Sequence, residues 1–208
     1  LQVDILSIDL LKNKRELPKI IDPSAGAGTF LIEAMKIITK EVKYKQKSKI
    51  GTSSSVIERF DELFVPDSRE NKWARDYIYG IEHNFNLGTA VKVNMILHGD
   101  GSSNIFVQDG LAPFGEYDKD LKNSSESSFY GKRSVNEKFD VILANPPFSV
   151  DMPVETKKKI EKAFIFSKKK NSENLFLERY YQLLKENGRM GVVLPESVFD
   201  TTENKYIR

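Results

Sequence analysis

The sequence predicts an α/β fold, a mostly parallel sheet covered by helices on both faces. Two observations carry this: short apolar runs alternate with segments of helical periodicity, and each run ends in turn or acidic residues. Lys19-Ile20-Ile21 reads as a short first strand ending at Asp22. Leu31, Met35, Ile38 and Val42 then recur at helical spacing, with Glu33, Lys36 and Lys40 on the other side. Residues 43–76 are polar and irregular apart from a short helix around Val56–Phe64. Tyr77–Glu82 is the second strand, Leu87–Leu97 the second long helix and Asn104–Gln108 the third strand. Residues 112–137, rich in Ser, Asp, Lys and Gly, read as a long surface loop. Phe139–Ala144 is the fourth strand. Phe176, Tyr180, Leu183 and Leu184 mark a helix that Gly188 ends from the C′ position, and Met190–Leu194 is the fifth strand. Val3–Leu11 resembles a helix leading into the first strand.

A chain of 208 residues suffices for one domain with a real core. Its formal charge of +2 is far from the strongly basic footprint of a stand-alone nucleic-acid binder. Basic residues do cluster locally. Lys36, Lys40, Lys43, Lys45, Lys47 and Lys49 read as a solvated face. Lys157, Lys158, Lys159, Lys162, Lys168, Lys169 and Lys170 follow the fourth strand closely, where phosphate contact is the competing reading. There is no cysteine, hence no disulfide and no thiolate metal site. No apolar run approaches a membrane span. His83 and His98 have neither metal-ligand spacing nor a triad pattern, and both read as structural or surface residues.

The segment richest in chemistry is Asn145-Pro146-Pro147-Phe148, directly after the fourth strand. Proline has no N–H, so this loop offers carbonyls without donors, and each residue before a proline is held extended. The Asn145 side-chain oxygen and the Pro146 carbonyl can accept both hydrogens of one planar NH₂ group, and Phe148 offers a face for a base ring. The amine of adenine or cytosine is a poor nucleophile until two acceptors draw it towards sp³ geometry. The plain alternative is a Pro-rich turn with Phe148 as core filler.

Asp22-Pro23-Ser24-Ala25-Gly26-Ala27-Gly28-Thr29-Phe30 joins the first strand to its helix. Gly26 and Gly28 permit a tight turn and close approach to a ligand. Leu31 stands where a dinucleotide fingerprint needs a third glycine, and no Gly-Lys-Ser/Thr follows for a phosphate loop. The acidic residue ahead of the turn disfavours phosphate and suits a cationic ligand; S-adenosylmethionine fits. Glu82, ending the second strand, is placed to accept from ribose hydroxyls. Asp109, after the third strand, can accept from an adenine amine, with Asp100 as a competing candidate.

These motifs resemble the N6-adenine DNA methyltransferases, specifically the modification subunits of type I restriction-modification systems. The carriers are the Asp22–Phe30 and Asn145–Phe148 segments, the Asn94-Met95-Ile96-Leu97-His98-Gly99 helix end, and Gly188-Arg189-Met190-Gly191-Val192-Val193-Leu194-Pro195. The resemblance implies a Rossmann-like S-adenosylmethionine-dependent methyltransferase fold, with sheet order 3-2-1-4-5 and two further strands. It further implies that the chain is a truncated catalytic domain, lacking an upstream helical domain with a cofactor-closing Thr-Pro segment and a downstream recognition region. Ala25 stands where such proteins often have cysteine. By the same resemblance, Asn145, Pro146, Pro147 and Phe148 are catalytic. Asp22, Pro23, Gly26, Gly28, Thr29, Phe30, Glu82 and Asp109 bind the cofactor S-adenosylmethionine. Double-stranded DNA, a specificity subunit and a restriction subunit are the implied partners of a cytoplasmic protein. Methylation of another planar amine, RNA guanine N2 or a protein glutamine amide, uses the same loop logic and stays open, as does a fragment that is inactive alone.

Overall fold

The structure, a computed structural model, describes residues 16–44, 54–64, 71–99, 104–122, 129–130, 133–134, 136–148, 150, 154–161, 163–168 and 172–200. The expected helix at Val3–Leu11 lies outside them. In chain order the elements are β1 (Ile20–Asp22), α1 (Thr29–Tyr44), α2 (Ser54–Leu63), α3 (Ala74–Tyr77), β2 (Ile78–Glu82), α4 (Phe85–Leu97), β3 (Ile105–Val107), β4 (Phe129–Tyr130), β5 (Arg133–Ser134), β6 (Phe139–Ala144), α5 (Val154–Ile160), α6 (Ser172–Leu183), β7 (Leu184–Val192) and α7 (Ser197–Asp200). The main sheet has the order β3-β2-β1-β6-β7, and all its pairings are parallel. β4 and β5 form a separate antiparallel pair. The five-strand order is the 3-2-1-4-5 arrangement that the sequence resemblance implies.

The central strand explains why this sheet is covered on both sides. β1 is only three residues long and wholly buried. Because side chains alternate across a strand, Ile20 enters the cluster formed with Leu31, Met35, Ile38, Val91 and Met95 of α1 and α4. Ile21 enters the opposite cluster with Leu175, Phe176, Tyr180 and Leu183 of α6. The exposed face of α1 carries Glu33 and Lys36, paired at 2.7 Å, together with Lys40.

β6 departs from simple alternation. Phe139 faces the α6 cluster whereas Val141, two residues on, faces the α1 cluster. A bulge explains the switch: the N–H groups of both Asp140 (2.9 Å) and Val141 (3.1 Å) donate to the Lys19 carbonyl. One extra residue in a strand inverts the face of everything before it. The Asp140 carboxylate, turned out by the bulge, accepts from Lys19 N–H at 2.9 Å and pairs with Lys185 at 3.0 Å.

Other elements differ from the sequence expectation in detail. The polar stretch 43–76 contributes Trp73 and Ala74 to the α1-side core. There the Trp73 indole N–H donates to Thr39 Oγ1 at 2.8 Å, and the Thr39 hydroxyl donates to Asn71 Oδ1 at 2.6 Å. Tyr77 closes α3 instead of opening β2. Within 112–137, Phe114, Tyr117 and Leu121 are buried in the α6-side core. Gly188 is not the C′ residue of the helix before it, which ends at Leu183; β7 begins at once with Leu184 opposite Phe139. The chain then turns through Asn187 at φ +61° and rejoins β6 from Arg189, opposite Val141.

Candidate active site

In a parallel sheet the strand order reverses beside the first strand, and ligands bind beyond the carboxyl ends at that point. Here β1 lies between β2 and β6, so the loops leaving these strands converge. A cavity of about 440 Å³ opens there, lined by Pro23, Ser24 and Gly26 after β1, Glu82, His83 and Leu87 after β2, and Asp109 and Gly110 after β3. Asn145, Pro146, Pro147 and Phe148 after β6, with Phe176 of α6, complete the wall. Pro146 is buried, Asn145 is exposed and the Phe148 ring is 44% exposed at the rim.

The two glycines of the first turn do different work. Gly26 has φ +55° and its N–H donates to Glu82 Oε2 at 2.8 Å. A Cβ there would meet nothing within 4 Å, so the bare backbone faces open cavity. Gly28, at φ +83°, does not line the cavity; its Cβ would lie 2.3 Å from Val91 Cγ2. It lets the turn pack on α4, which Asn94 Nδ2 reinforces by donating to the Ala27 carbonyl at 3.0 Å. Thr29 is exposed at the start of α1, and Phe30 packs against the α1-side core. Neither side chain lines the cavity.

Glu82 staples two turns. While Oε2 takes the Gly26 N–H, Oε1 accepts from Asn84 N at 2.7 Å, and Asn84 caps α4 by accepting from Asn86 N and Leu87 N. A carboxylate has about four acceptor sites, so two remain for ligand hydroxyls. Asp109 accepts from Leu111 N at 2.9 Å and still faces the cavity. Asp100 lies outside the described residues.

Asp22 is buried and turned inward, accepting from Ser24 N at 2.9 Å and the Ser24 hydroxyl at 3.3 Å. Burial pushes its carboxyl up to about 7, against the lowering effect of the Ser24 bonds, and the nearby Glu82 charge adds to the rise. Burial likewise raises the Tyr180 hydroxyl well above the usual phenol value, with Asp22 contributing.

Sequence reasoning missed His83, which reads as a surface residue but lines the cavity, and it missed most of α6. Phe176, buried at the cavity wall, reads from sequence only as helix core. Arg179 is fully buried, donating to Ala112 O at 2.7 Å and Leu111 O at 3.3 Å. Its guanidinium stacks over Phe164, Phe114 and Tyr117 at 4.6, 4.3 and 5.1 Å. Burial lowers its pKa from the usual value and raises that of Tyr117 to about 12. Arg179 thereby anchors the segment that follows Asp109. The available signal was spacing: Ser172, Phe176, Arg179 and Tyr180 share one helical face.

A parallel sheet of this order, with a glycine turn and an Asn-Pro-Pro-Phe loop at its switch point, defines the class of Rossmann-like methyltransferases. The chain belongs to the N-6 DNA Methylase family, whose sequence profile matches residues 2–208. It is 28% identical over 178 residues to the type II restriction enzyme and methyltransferase RM.BcgI of Heyndrickxia coagulans, covering 86% of this chain and 20% of that protein. Against the type II restriction enzyme and methyltransferase RM.Eco57I of Escherichia coli it is 27% identical over 215 residues, 91% of this chain and 21% of the other. The chain thus spans about a fifth of the length of these relatives. Among solved structures, its fold is similar to a putative class I S-adenosylmethionine-dependent methyltransferase from Listeria monocytogenes (TM-score 0.58, 16% identity, 99% of this chain and 47% of that one). It is also similar to the type I restriction enzyme EcoKI M protein (TM-score 0.51, 19% identity, 95% of this chain and 33% of that one). Among the described residues no helix is long and apolar enough to cross a membrane.

Two tests follow from the site. Gly26→Ala carries only the left-handed backbone cost of about 1–2 kcal/mol, whereas Gly28→Ala adds a collision with a buried valine; chemical denaturation should show Gly28→Ala as clearly the less stable variant. The Asp22 carboxyl, raised in the folded state, favours folding while protonated. That contribution is complete below about pH 4 and is lost as pH rises towards 7. Asp22→Asn should flatten the stability profile across this window, measured by denaturant titration at successive pH values.

Proposed function

We propose that this chain is the catalytic part of an enzyme that transfers a methyl group from S-adenosylmethionine to N6 of adenine in double-stranded DNA, as the modification activity of a restriction-modification system. The observation that carries the reading is that the Gly26–Glu82–Asp109 wall and the Asn145–Phe148 loop line one cavity. Membership of the N-6 DNA Methylase family supports the choice of amine. No atom lies within 4 Å of where a Cβ on Gly26 would stand, in keeping with a ligand held against bare backbone. S-adenosylmethionine, when bound, supplies an electrophilic methyl group.

The chain's own residues supply position. Gly26, Glu82 and Asp109 hold the cofactor through backbone and carboxylate contacts. Asn145 Oδ1 and the Pro146 carbonyl accept the two hydrogens of the target amine, localising its lone pair on nitrogen. Phe148 stacks on the base, which must leave the duplex to reach the cavity. Catalysis is chiefly orientation for in-line displacement. Lys157, Lys158 and Lys159, in the last turn of α5 beyond the loop, suit phosphate contact, although Lys159 is also paired with Glu116 at 3.2 Å. Partner specificity and restriction subunits would give the type I arrangement. The two sequence relatives, each a type II restriction enzyme and methyltransferase, support restriction and methylation on one longer chain instead.

With tritiated S-adenosylmethionine and the complete protein, label should enter DNA and not RNA or protein. Replacing Asn145 by Ala should lower transfer by about 10²-fold or more, with cofactor affinity within about threefold of the parent by calorimetry. Parental transfer by that variant would remove the role assigned to the loop.

A further inference from the structure

We infer that Ser172 is a positioning residue for methyl transfer: its hydroxyl closes the acceptor loop across Pro147 and Val150 and so sets the attitude of Phe148. This rests on the function proposed above. The loop has little means of holding itself, because Pro146 and Pro147 carry no N–H. Its first end is secured by the sheet, through Val193 N donating to Ala144 O at 3.0 Å, one residue before Asn145. Its other end is secured from α6. Ser172 Oγ donates to the Pro147 carbonyl at 3.2 Å and accepts from Val150 N at 3.2 Å. One hydroxyl therefore satisfies both ends of the span that contains Phe148.

Three features separate this from an ordinary helix cap. A serine at a helix start usually bonds its own helix, whereas this hydroxyl reaches a loop 25 residues earlier in the chain. It is 2% exposed, so water does not compete for the bonds. Glu173 Oε2 lies 3.3 Å from the same oxygen, a second acceptor for its single hydrogen. Meanwhile the Phe148 ring is 44% exposed, so its direction depends on the backbone that carries it. A shift of about 1 Å in a group that orients substrate can cost 10²-fold in rate.

The test compares the parent with Ser172→Ala, which removes the hydroxyl, and Ser172→Cys, which keeps the volume with a weak donor. Each is assayed in the complete protein on a DNA duplex that the parent methylates. Both variants should lower the single-turnover rate about tenfold to hundredfold, leave the dissociation constant for S-adenosylmethionine within about twofold, and keep the melting temperature within about 4 °C. With 2-aminopurine replacing the target adenine, the bound duplex should fluoresce more brightly than with the parent, because the extruded base loses its stacked partner. Parental rate and emission in Ser172→Ala would overturn the inference. So would a parallel loss of rate, cofactor affinity and melting temperature, which marks a merely structural serine. Asn145→Ala run alongside separates the levels: if it is inactive while Ser172→Ala is parental, only the role of Ser172 fails. If Asn145→Ala is itself parental, the function proposed for the loop fails and this inference with it.

Discussion

The whole arrangement depends on a three-residue strand pairing in parallel on both edges. β1 hydrogen-bonds β2 on one side and β6 on the other, through Ile20↔Ile78 and Ile20↔Val141. With Ile20 buried in one core and Ile21 in the other, a slip of one residue would exchange two incompatible environments. The register is therefore strongly specified, and with it the place where β1 stops. Asp22 ends the strand level with Gly80 of β2, and the chain turns over the sheet edge at Gly26, within reach of Glu82. On the other side β6 ends at Ala144, delivering Asn145 to the same edge.

What the sheet brings together, one side chain and one helix hold in place. Glu82 fastens the glycine turn to the cap of α4 through both carboxylate oxygens. α6 underlies the opposite wall, with Ser172 bonded to the Pro147 carbonyl, Phe176 at the cavity and Arg179 holding the carbonyls after Asp109. Each such bond is worth only about 1–3 kcal/mol in net stability, the charged ones of Glu82 and Arg179 the most. Their value lies in fixing the loops that line the cavity, of which Asn145–Phe148 has two prolines without N–H groups of their own. Asp22 shows the cost of this packing: its carboxyl is buried enough to bind a proton near neutrality.

Much of this was legible in the residues themselves. The α1 stripe of Leu31, Met35 and Ile38, the apolar run of β6 and the α/β class follow from local periodicity, and the strand order came with the family resemblance. The chemistry of Asn145-Pro146-Pro147-Phe148 is legible because the absence of N–H groups is a local fact. What sequence did not show depends on distant partners. The bulge in β6 exists because two N–H groups share the Lys19 carbonyl. Gly28 is needed because Val91 of another helix lies against it. Trp73 sits in a stretch that reads as polar, and the burial of Arg179 depends on aromatic rings from distant segments. Gly188 resembles a helix stop, but Leu184 is drawn into the sheet by Phe139 before it is reached.

By the function proposed above, one cavity at the switch point holds both the methyl donor and the loop that takes the amine. A crystal structure of the complete protein with S-adenosylhomocysteine tests it most directly. The ligand should lie against Gly26, with its ribose hydroxyls on Glu82, its adenine beside Asp109 and Phe176, and its sulfur turned towards Asn145. A ligand bound elsewhere, or one whose sulfur is walled off from Asn145 by the Asp22–Phe30 turn, would contradict it.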